Sequence, residues 1–281
     1  MSTLRFAVAT TPDLGGAAFE DLKTLVALGG GPGLVPVFVP NYVALFETVH
    51  RHVADAAWCP PLVARDLVRV AAAEPIATVL RGGADHYYSA LVALSGSRVR
   101  RVGEIEGARV GWVSRLSAAG YVVPRDYLQS LGVAVERLDE CFFHTHGRCV
   151  EALLSEEVDV IGTYASAHAG SFRVSPALAG ARILGVAGQI PGDVVVASRG
   201  LAAESRTRLG VALRRRSIDP AGALAALMNA SGFGFVPPDH LASLARWMER
   251  AMSGTFRFVQ RSSRSTGYGS SPAARRKPSD A

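Results

Sequence analysis

The sequence predicts an α/β protein made of two units. Three observations carry this. Strand-like and helix-like segments alternate up to about Leu80, a second alternation begins after Gly82-Gly83, and 49% of the 281 residues are hydrophobic against 19% charged. That composition excludes a disordered chain, which would be apolar-poor and charge-rich, and the length is enough to bury one large core or two smaller ones.

Leu4-Arg5-Phe6-Ala7-Val8-Ala9 reads as the first strand. A helix follows with Phe19, Leu22, Leu25 and Val26 on one face, and Gly29-Gly30-Gly31-Pro32-Gly33 stops it. That glycine run lacks the Gly-Lys-Ser/Thr of a nucleotide loop. Leu34 to Pro40 reads as a short buried strand. Asn41 can cap the next helix, whose apolar stripe is Tyr42, Leu45, Phe46, Val49 and Val53. Asp55-Ala56-Ala57-Trp58 is a strand ending at Cys59-Pro60-Pro61, a helix runs through Val63, Leu67 and Val70, and Ile76 to Leu80 is again a strand. This alternation predicts a largely parallel sheet.

In the second unit, Tyr87–Leu94 and Ala108–Val113 read as strands and Ser117–Leu131 as a helix stopped by Gly132. Val133–Leu138 reads as a strand, Gly147–Glu156 as a helix, and Val158–Gly162, Arg182–Val186 and Asp193–Ala197 as strands. The last folded stretch reads as helical over Ala203–Arg215, Pro220–Ala230 and Pro238–Ala251. Residues 261–281 are Ser, Arg, Gly and Pro with almost no apolar side chains, and are expected to be a disordered tail.

Half of the net charge of +6 sits in Ser262–Ala281, which carries +3 and leaves +3 over the remaining 261 residues. With no basic stripe interleaved with aromatics, nucleic-acid binding is not expected. The three cysteines, Cys59, Cys141 and Cys149, form no Cys-x-x-Cys and no even set, so a disulfide framework is not expected. His144-Thr145-His146 beside Cys141 matches no standard metal spacing, and neither metal nor cofactor is expected. No apolar run reaches the roughly 18 residues of a membrane span. Met1-Ser2-Thr3 leads straight into the first strand without an export segment, so the expectation for the chain as it stands is the cytoplasm; a truncated start would instead fit a periplasmic or extracellular protein.

Several segments taken together resemble the phosphate/phosphite/phosphonate substrate-binding proteins of ABC transporters. Asn41-Tyr42-Val43-Ala44-Leu45-Phe46-Glu47 followed by Asp55-Ala56-Ala57-Trp58-Cys59-Pro60-Pro61 is similar to that family's Tyr-helix and Asp-x-Ala-Trp signature. Tyr87-Tyr88-Ser89-Ala90-Leu91-Val92 resembles its crossover strand, and Ser117-Ala118-Ala119-Gly120-Tyr121-Val122-Val123-Pro124 its Ser-Thr-Ser-Gly-Tyr-x-x-Pro anion loop. Thr145-His146, Glu157–Tyr164, Ile190-Pro191-Gly192-Asp193 and Gly232-Phe233 follow in the family's order. The resemblance implies a two-lobed type II periplasmic-binding-protein-like fold with two crossover strands and a ligand cleft between the lobes. Residues 1–84 and 192–260 would form one lobe and 85–191 the other.

An oxyanion requires fixed donors, and a helix N-terminus supplies free N–H groups and a favourable dipole. Ser117 and the amides of Ala118, Ala119 and Gly120 are therefore candidate ligand contacts; an ordinary N-cap with nothing bound is the other reading. Ala118 and Ala119 stand where the family has hydroxyls, and each lost hydrogen bond would weaken binding by about 0.5–1.5 kcal/mol. The resemblance also implies that His146 donates to the ligand; a surface histidine at a helix start is the other reading. Tyr42 and Tyr88 are candidate phenol donors or packing aromatics. Tyr87 and Tyr88 must point to opposite faces of their strand, so only one faces the cleft. The resemblance implies that a carboxylate at Asp193 meets a ligand hydroxyl or amine. Beside a fully ionised phosphonate it is repulsive unless a proton or cation lies between them, which would select a protonated oxyanion or an amino-bearing ligand. A strand-start Asp capping a turn is the other reading. Trp58 is cleft wall or core, and Tyr164 is a lesser candidate.

Three functions are compatible with these residues. The first is an oxyanion-binding protein that closes its lobes on the ligand, delivering it to an ABC-transporter permease or acting as an intracellular sensor with a regulatory partner. The second is a cytoplasmic enzyme on the same fold acting on a small carboxylate, as in menaquinone-pathway enzymes, although no nucleophile motif is present. The third is an interaction module that has lost its small ligand.

Overall fold

The structure is a computed structural model and describes residues 3–10, 12–245 and 247. The chain opens with β1 (Thr3–Ala9), α1 (Pro12–Leu28), β2 (Gly33–Val39), α2 (Tyr42–His50), β3 (Ala56–Cys59), α3 (Pro61–Arg69) and β4 (Ala73–Leu80). α1 buries Phe19, Leu22, Leu25 and Val26, positions that fall on one face at 3.6 residues per turn. Gly29 ends it where a side chain would be 2.5 Å from the Ala212 carbonyl oxygen, so only glycine lets the two segments approach. Asn41 caps α2 through its side-chain oxygen, which accepts from the Ala44 amide at 2.9 Å. Pro61 starts α3, where a missing N–H costs nothing.

The second sheet is built from β5 (His86–Ala93), β6 (Arg109–Trp112), β7 (Asp139–Phe142), β8 (Val160–His168), β9 (Ser171–Arg173) and β10 (Arg182–Pro191). α4 (Val123–Ser130) lies between β6 and β7, and α5 (His146–Leu154) between β7 and β8. The chain then returns to the first sheet with β11 (Val194–Ser198), α6 (Ala203–Arg214), α7 (Ala223–Met228) and β12 (Gly232–Gly234). The strand orders are β12-β4-β11-β3-β1-β2 and β10-β5-β8-β6-β7, with β9 paired to β8.

The first sheet is mixed rather than largely parallel. β1 pairs parallel with β2 and β3, but β11 inserts antiparallel between β3 and β4, and β12 pairs antiparallel with β4. β2 is an edge strand with Val35 exposed, not a buried one. Val53 lies past the end of α2 and is exposed, so it is not part of that helix's stripe. The helix expected from Ser117 begins instead as a π turn, Ala118–Val122, that leads into α4. Val133–Leu138 is not a strand; it holds a 3-10 turn, and the strand follows as β7, whose polar Asp139-Glu140 start hides it from a hydrophobicity reading. β8 starts at Val160 and runs on to His168 because it has β9 to pair with. The helix expected from Pro220 starts at Ala223. Of the expected Pro238–Ala251 helix, the described part contains a 3-10 turn at Ala242–Leu244; the remainder, like the tail 261–281, lies outside the described residues.

Two short connections join the lobes side by side. Outward, Arg81 and Ala84 bond each other's backbones across Gly82 and Gly83, which take φ of +57° and +82°, values that glycine adopts without strain. On the return, the Gly192 amide donates to the Asp85 carbonyl at 2.7 Å and the Val79 amide to the Asp193 carbonyl at 2.8 Å. Buried His240 adds a pin, its Nε2 lying 3.0 Å from the Gly192 carbonyl and 3.3 Å from the Thr78 hydroxyl. Leu244 and Trp247 pack in one core cluster with Leu62 of the first lobe and Leu91 and Trp112 of the second. The segment after β12 therefore clamps both lobes, a third link that local periodicity does not reveal. Among the described residues no helix is long and apolar enough to cross a membrane.

Candidate functional site

The crossovers bring together a buried polar cluster. Asp193, immediately before β11, accepts from Arg81 Nη2 at 2.5 Å and from Trp58 Nε1 at 3.2 Å, both on Oδ2. The Arg81 guanidinium also lies 5.3 Å from the centre of the Tyr87 ring. Side-chain exposures of 14% for Arg81 and 10% for Asp193 make this a largely buried ion pair beside the crossovers rather than a surface one. Both charges act on their neighbours. Burial, reinforced by Asp193 and partly offset by Arg81, raises the Tyr42 and Tyr87 phenols well above the usual range. Burial and then Asp193 also raise the Cys59 thiol. These three groups stay protonated at neutral pH, and the two phenols are hydrogen-bond donors there.

His146 faces the same pair from the second lobe. Thr145 caps α5, its hydroxyl accepting from the Arg148 amide at 3.1 Å, and this sets His146 on the first turn. His146 Nδ1 lies 3.2 Å from the Thr163 hydroxyl, and the ring meets Tyr164 edge-on at 5.1 Å. Burial lowers its pKa to about 4; Asp193 opposes this and Arg81 adds to it. The imidazole is therefore neutral at pH 7. In the tautomer whose Nδ1 accepts from Thr163, Nε2 carries the proton and can donate.

The π turn lies against β5 and β8, the strands that carry Tyr87 and Tyr164. The Ser117 hydroxyl accepts from the Gly120 amide at 3.0 Å, and the Ser117 carbonyl accepts from Val122 at 3.0 Å. The Gly120 amide expected to cradle an anion is thus already engaged. The amides of Ala118 and Ala119 open the turn, where no partner exists within the turn itself. The methyls of both residues are buried in the core cluster that contains Tyr87 and Trp112.

The structure thus gathers Tyr42, Trp58, His146, Tyr164 and Asp193 around one ion pair. It does not bring Tyr88 there. Tyr88 shares its strand face with Ala90 and Val92, packs edge-on to Phe172 at 4.9 Å and receives Gln189 Nε2 on its hydroxyl at 3.4 Å. Tyr87 occupies the cleft side instead. Of the Tyr87 and Tyr88 pair that the strand alternation leaves open, Tyr87 is the member that meets Arg81, and Arg81 itself is not among the residues singled out from the sequence. Arg81 ends a strand just before Gly-Gly, which was a usable signal, but in a chain whose cations are nearly all arginine it does not stand out. Among the described residues no three His, Cys, Asp or Glu side chains come together as a metal ion requires.

Comparison with known proteins places the chain in a family. The model of the ABC-transporter phosphonate periplasmic substrate-binding protein matches residues 12–241. The fold is similar to a binding-protein component of an ABC phosphonate transporter from Pseudomonas aeruginosa, at 19% identity and a TM-score of 0.73, covering 89% of this chain and 86% of that one. It is similar to PhnD1 from Prochlorococcus marinus in complex with methylphosphonate, at 13% identity and a TM-score of 0.73, covering 89% and 98% of the two chains. It is also similar to XAC2383 from Xanthomonas citri bound to ATP, at 16% identity and a TM-score of 0.69, covering 90% and 99%. No curated protein matches the chain in sequence. With a family match over most of its length and a two-lobed binding-protein fold, the chain belongs to the ABC-transporter phosphonate substrate-binding protein family.

Proposed function

We propose that the cleft captures a small phosphorus oxyanion of the phosphonate class and that the two lobes close on it. The observation that carries this reading is the convergence of neutral donors from both lobes, Tyr42 and Tyr87 with His146 at a helix N-terminus, around Arg81 at the crossovers. Ser117 and the amides of Ala118 and Ala119 are the anion-loop contributors, Tyr164 orients His146, and Trp58 orients Asp193. The methylphosphonate held by the Prochlorococcus protein supports the ligand class. Closure would use the connections at 81–85 and 191–193 as hinges. Delivery to a transporter permease is the role the family description carries; an intracellular sensor is the alternative use of the same binding step. Cell fractionation of the native gene product separates the two.

The test of binding is a thermal-shift panel of methylphosphonate, phosphite, phosphate, 2-aminoethylphosphonate, sulfate and chorismate. A ligand at about 100 times its Kd stabilises by about 2.7 kcal/mol, a shift on the order of 5–10 °C for a protein of this size. A shift with a phosphorus oxyanion that His146→Ala removes is the expected result. No shift with any phosphorus compound would sink the assignment. Small-angle scattering with and without the bound oxyanion reads closure as a fall in the radius of gyration.

A further inference from the structure

We propose that Arg81 is a specificity-determining residue: as the built-in counter-ion of Asp193, it makes the cleft select oxyanions with an uncharged substituent and reject those that carry an ammonium group. This deepens the oxyanion reading above and rests on it.

The argument is a charge balance. A buried carboxylate in a binding cleft, left to itself, is the natural partner for a ligand's ammonium group. Here Asp193 is already matched. Its Oδ2 accepts from both Arg81 and Trp58, and its backbone carbonyl is bound by the Val79 amide. The Arg81 guanidinium is held on its other side by the Tyr87 ring, so it is fixed by two partners and not merely adjacent. Of the other groups gathered here, burial keeps Tyr42, Cys59, Tyr87 and His146 uncharged at neutral pH. The cluster is therefore neutral as a whole, with one positive and one negative centre already in contact.

A zwitterionic ligand would have to bring its ammonium beside Arg81 or displace Arg81 from Asp193. The first places like charges together in a poorly solvated site. The second leaves a buried guanidinium without its carboxylate. An anionic ligand meets neither obstacle. A guanidinium has five N–H donors, and the recorded ion pair uses the Nη2 group, so Arg81 can face Asp193 and a ligand oxygen together.

The experiment is calorimetric titration of the full chain with methylphosphonate and with 2-aminoethylphosphonate. The wild type is expected to prefer methylphosphonate by about 100-fold. Arg81→Met keeps the length and apolar stem but frees Asp193, and should move the preference toward the amino compound by at least about tenfold. Asp193→Asn keeps Arg81 and should retain the preference for methylphosphonate. The wild-type comparison and Asp193→Asn hold the test open if Arg81→Met does not fold. Equal binding of the two compounds by the wild type overturns this proposal while leaving the oxyanion reading intact. A preference unchanged in a folded Arg81→Met also overturns it. Binding of neither compound removes the oxyanion reading itself, and this inference falls with it.

Discussion

Lowering the pH below neutrality should destabilise the protein through one residue, His146. Its ring is wedged between the Thr163 hydroxyl at 3.2 Å and the edge of Tyr164 at 5.1 Å. Burial is the main reason its pKa falls from 6.5 to about 4, and the positive charge of Arg81 adds to this against the opposing pull of Asp193. The folded-state pKa is below the unfolded one, so the unfolded chain takes up the proton first. Stability is complete above pH 6.5 and is lost as the pH falls toward 4. At about 1.36 kcal/mol per pH unit the full gap corresponds to roughly 3 kcal/mol, and partial solvation of the half-buried ring reduces this to about 2 kcal/mol. Urea unfolding at several pH values between about 7.5 and 4.5 measures it, with His146→Gln as the control. The wild type should lose about 2 kcal/mol across that range, and the variant should lose clearly less. Parallel pH profiles for the two proteins would refute the claim that burial holds His146 neutral. The same reasoning makes oxyanion binding insensitive to His146 protonation between pH 6 and 8, unlike a site built on an imidazolium.

Other perturbations probe the scaffold around the site. Gly192→Ala would place a methyl 2.7 Å from the Asp85 carbonyl oxygen and 3.0 Å from that of Val79. Both are backbone atoms of the crossovers, so the urea midpoint should fall by the equivalent of roughly 1–3 kcal/mol; an unchanged midpoint contradicts the close packing described. Trp58→Phe removes a hydrogen bond to a buried carboxylate and should cost about 1.5–3 kcal/mol of stability by chemical denaturation. Thr145→Ala deletes the α5 cap and should cost about 1 kcal/mol while weakening ligand binding, since His146 sits on that turn. Asp159, held to about 2 chiefly by its bonds from the Arg109 side chain, contributes stability above about pH 4 that disappears toward pH 2. Asp159→Asn should flatten that part of the acid-unfolding curve, and identical curves would argue against the pairing.

The local features of this protein are legible in its sequence because their causes are local. The α1 stripe, the Asn41 cap and the glycine stop at Gly29 each depend on residues within a turn or two of one another. The ordered set of short segments, from Asn41-Tyr42 to Gly232-Phe233, carries the family and with it the two-lobed fold. The position of β11 has no such signature. A strand of five residues pairs with β3 and β4 across more than a hundred residues of chain, and only the completed sheet shows that it runs antiparallel between them. β7 is hidden for a related reason: an edge strand that opens on Asp139-Glu140 shows too little apolar pattern to be recognised alone.

The site divides along the same line. Period-two alternation requires Tyr87 and Tyr88 to face opposite ways, but which of them meets the cleft depends on which side of the sheet packs α4 and which packs α5. Asp193 and His146 can be singled out from their motifs, whereas the charge state of the cleft cannot. It is set by Arg81, 112 residues from Asp193 in the chain and hydrogen-bonded to it in space. Sequence determined the candidates, since side-chain chemistry and local spacing are written there. Tertiary structure decided their electrostatics, because a charge in a buried site is governed by whatever partner the fold brings within hydrogen-bond distance.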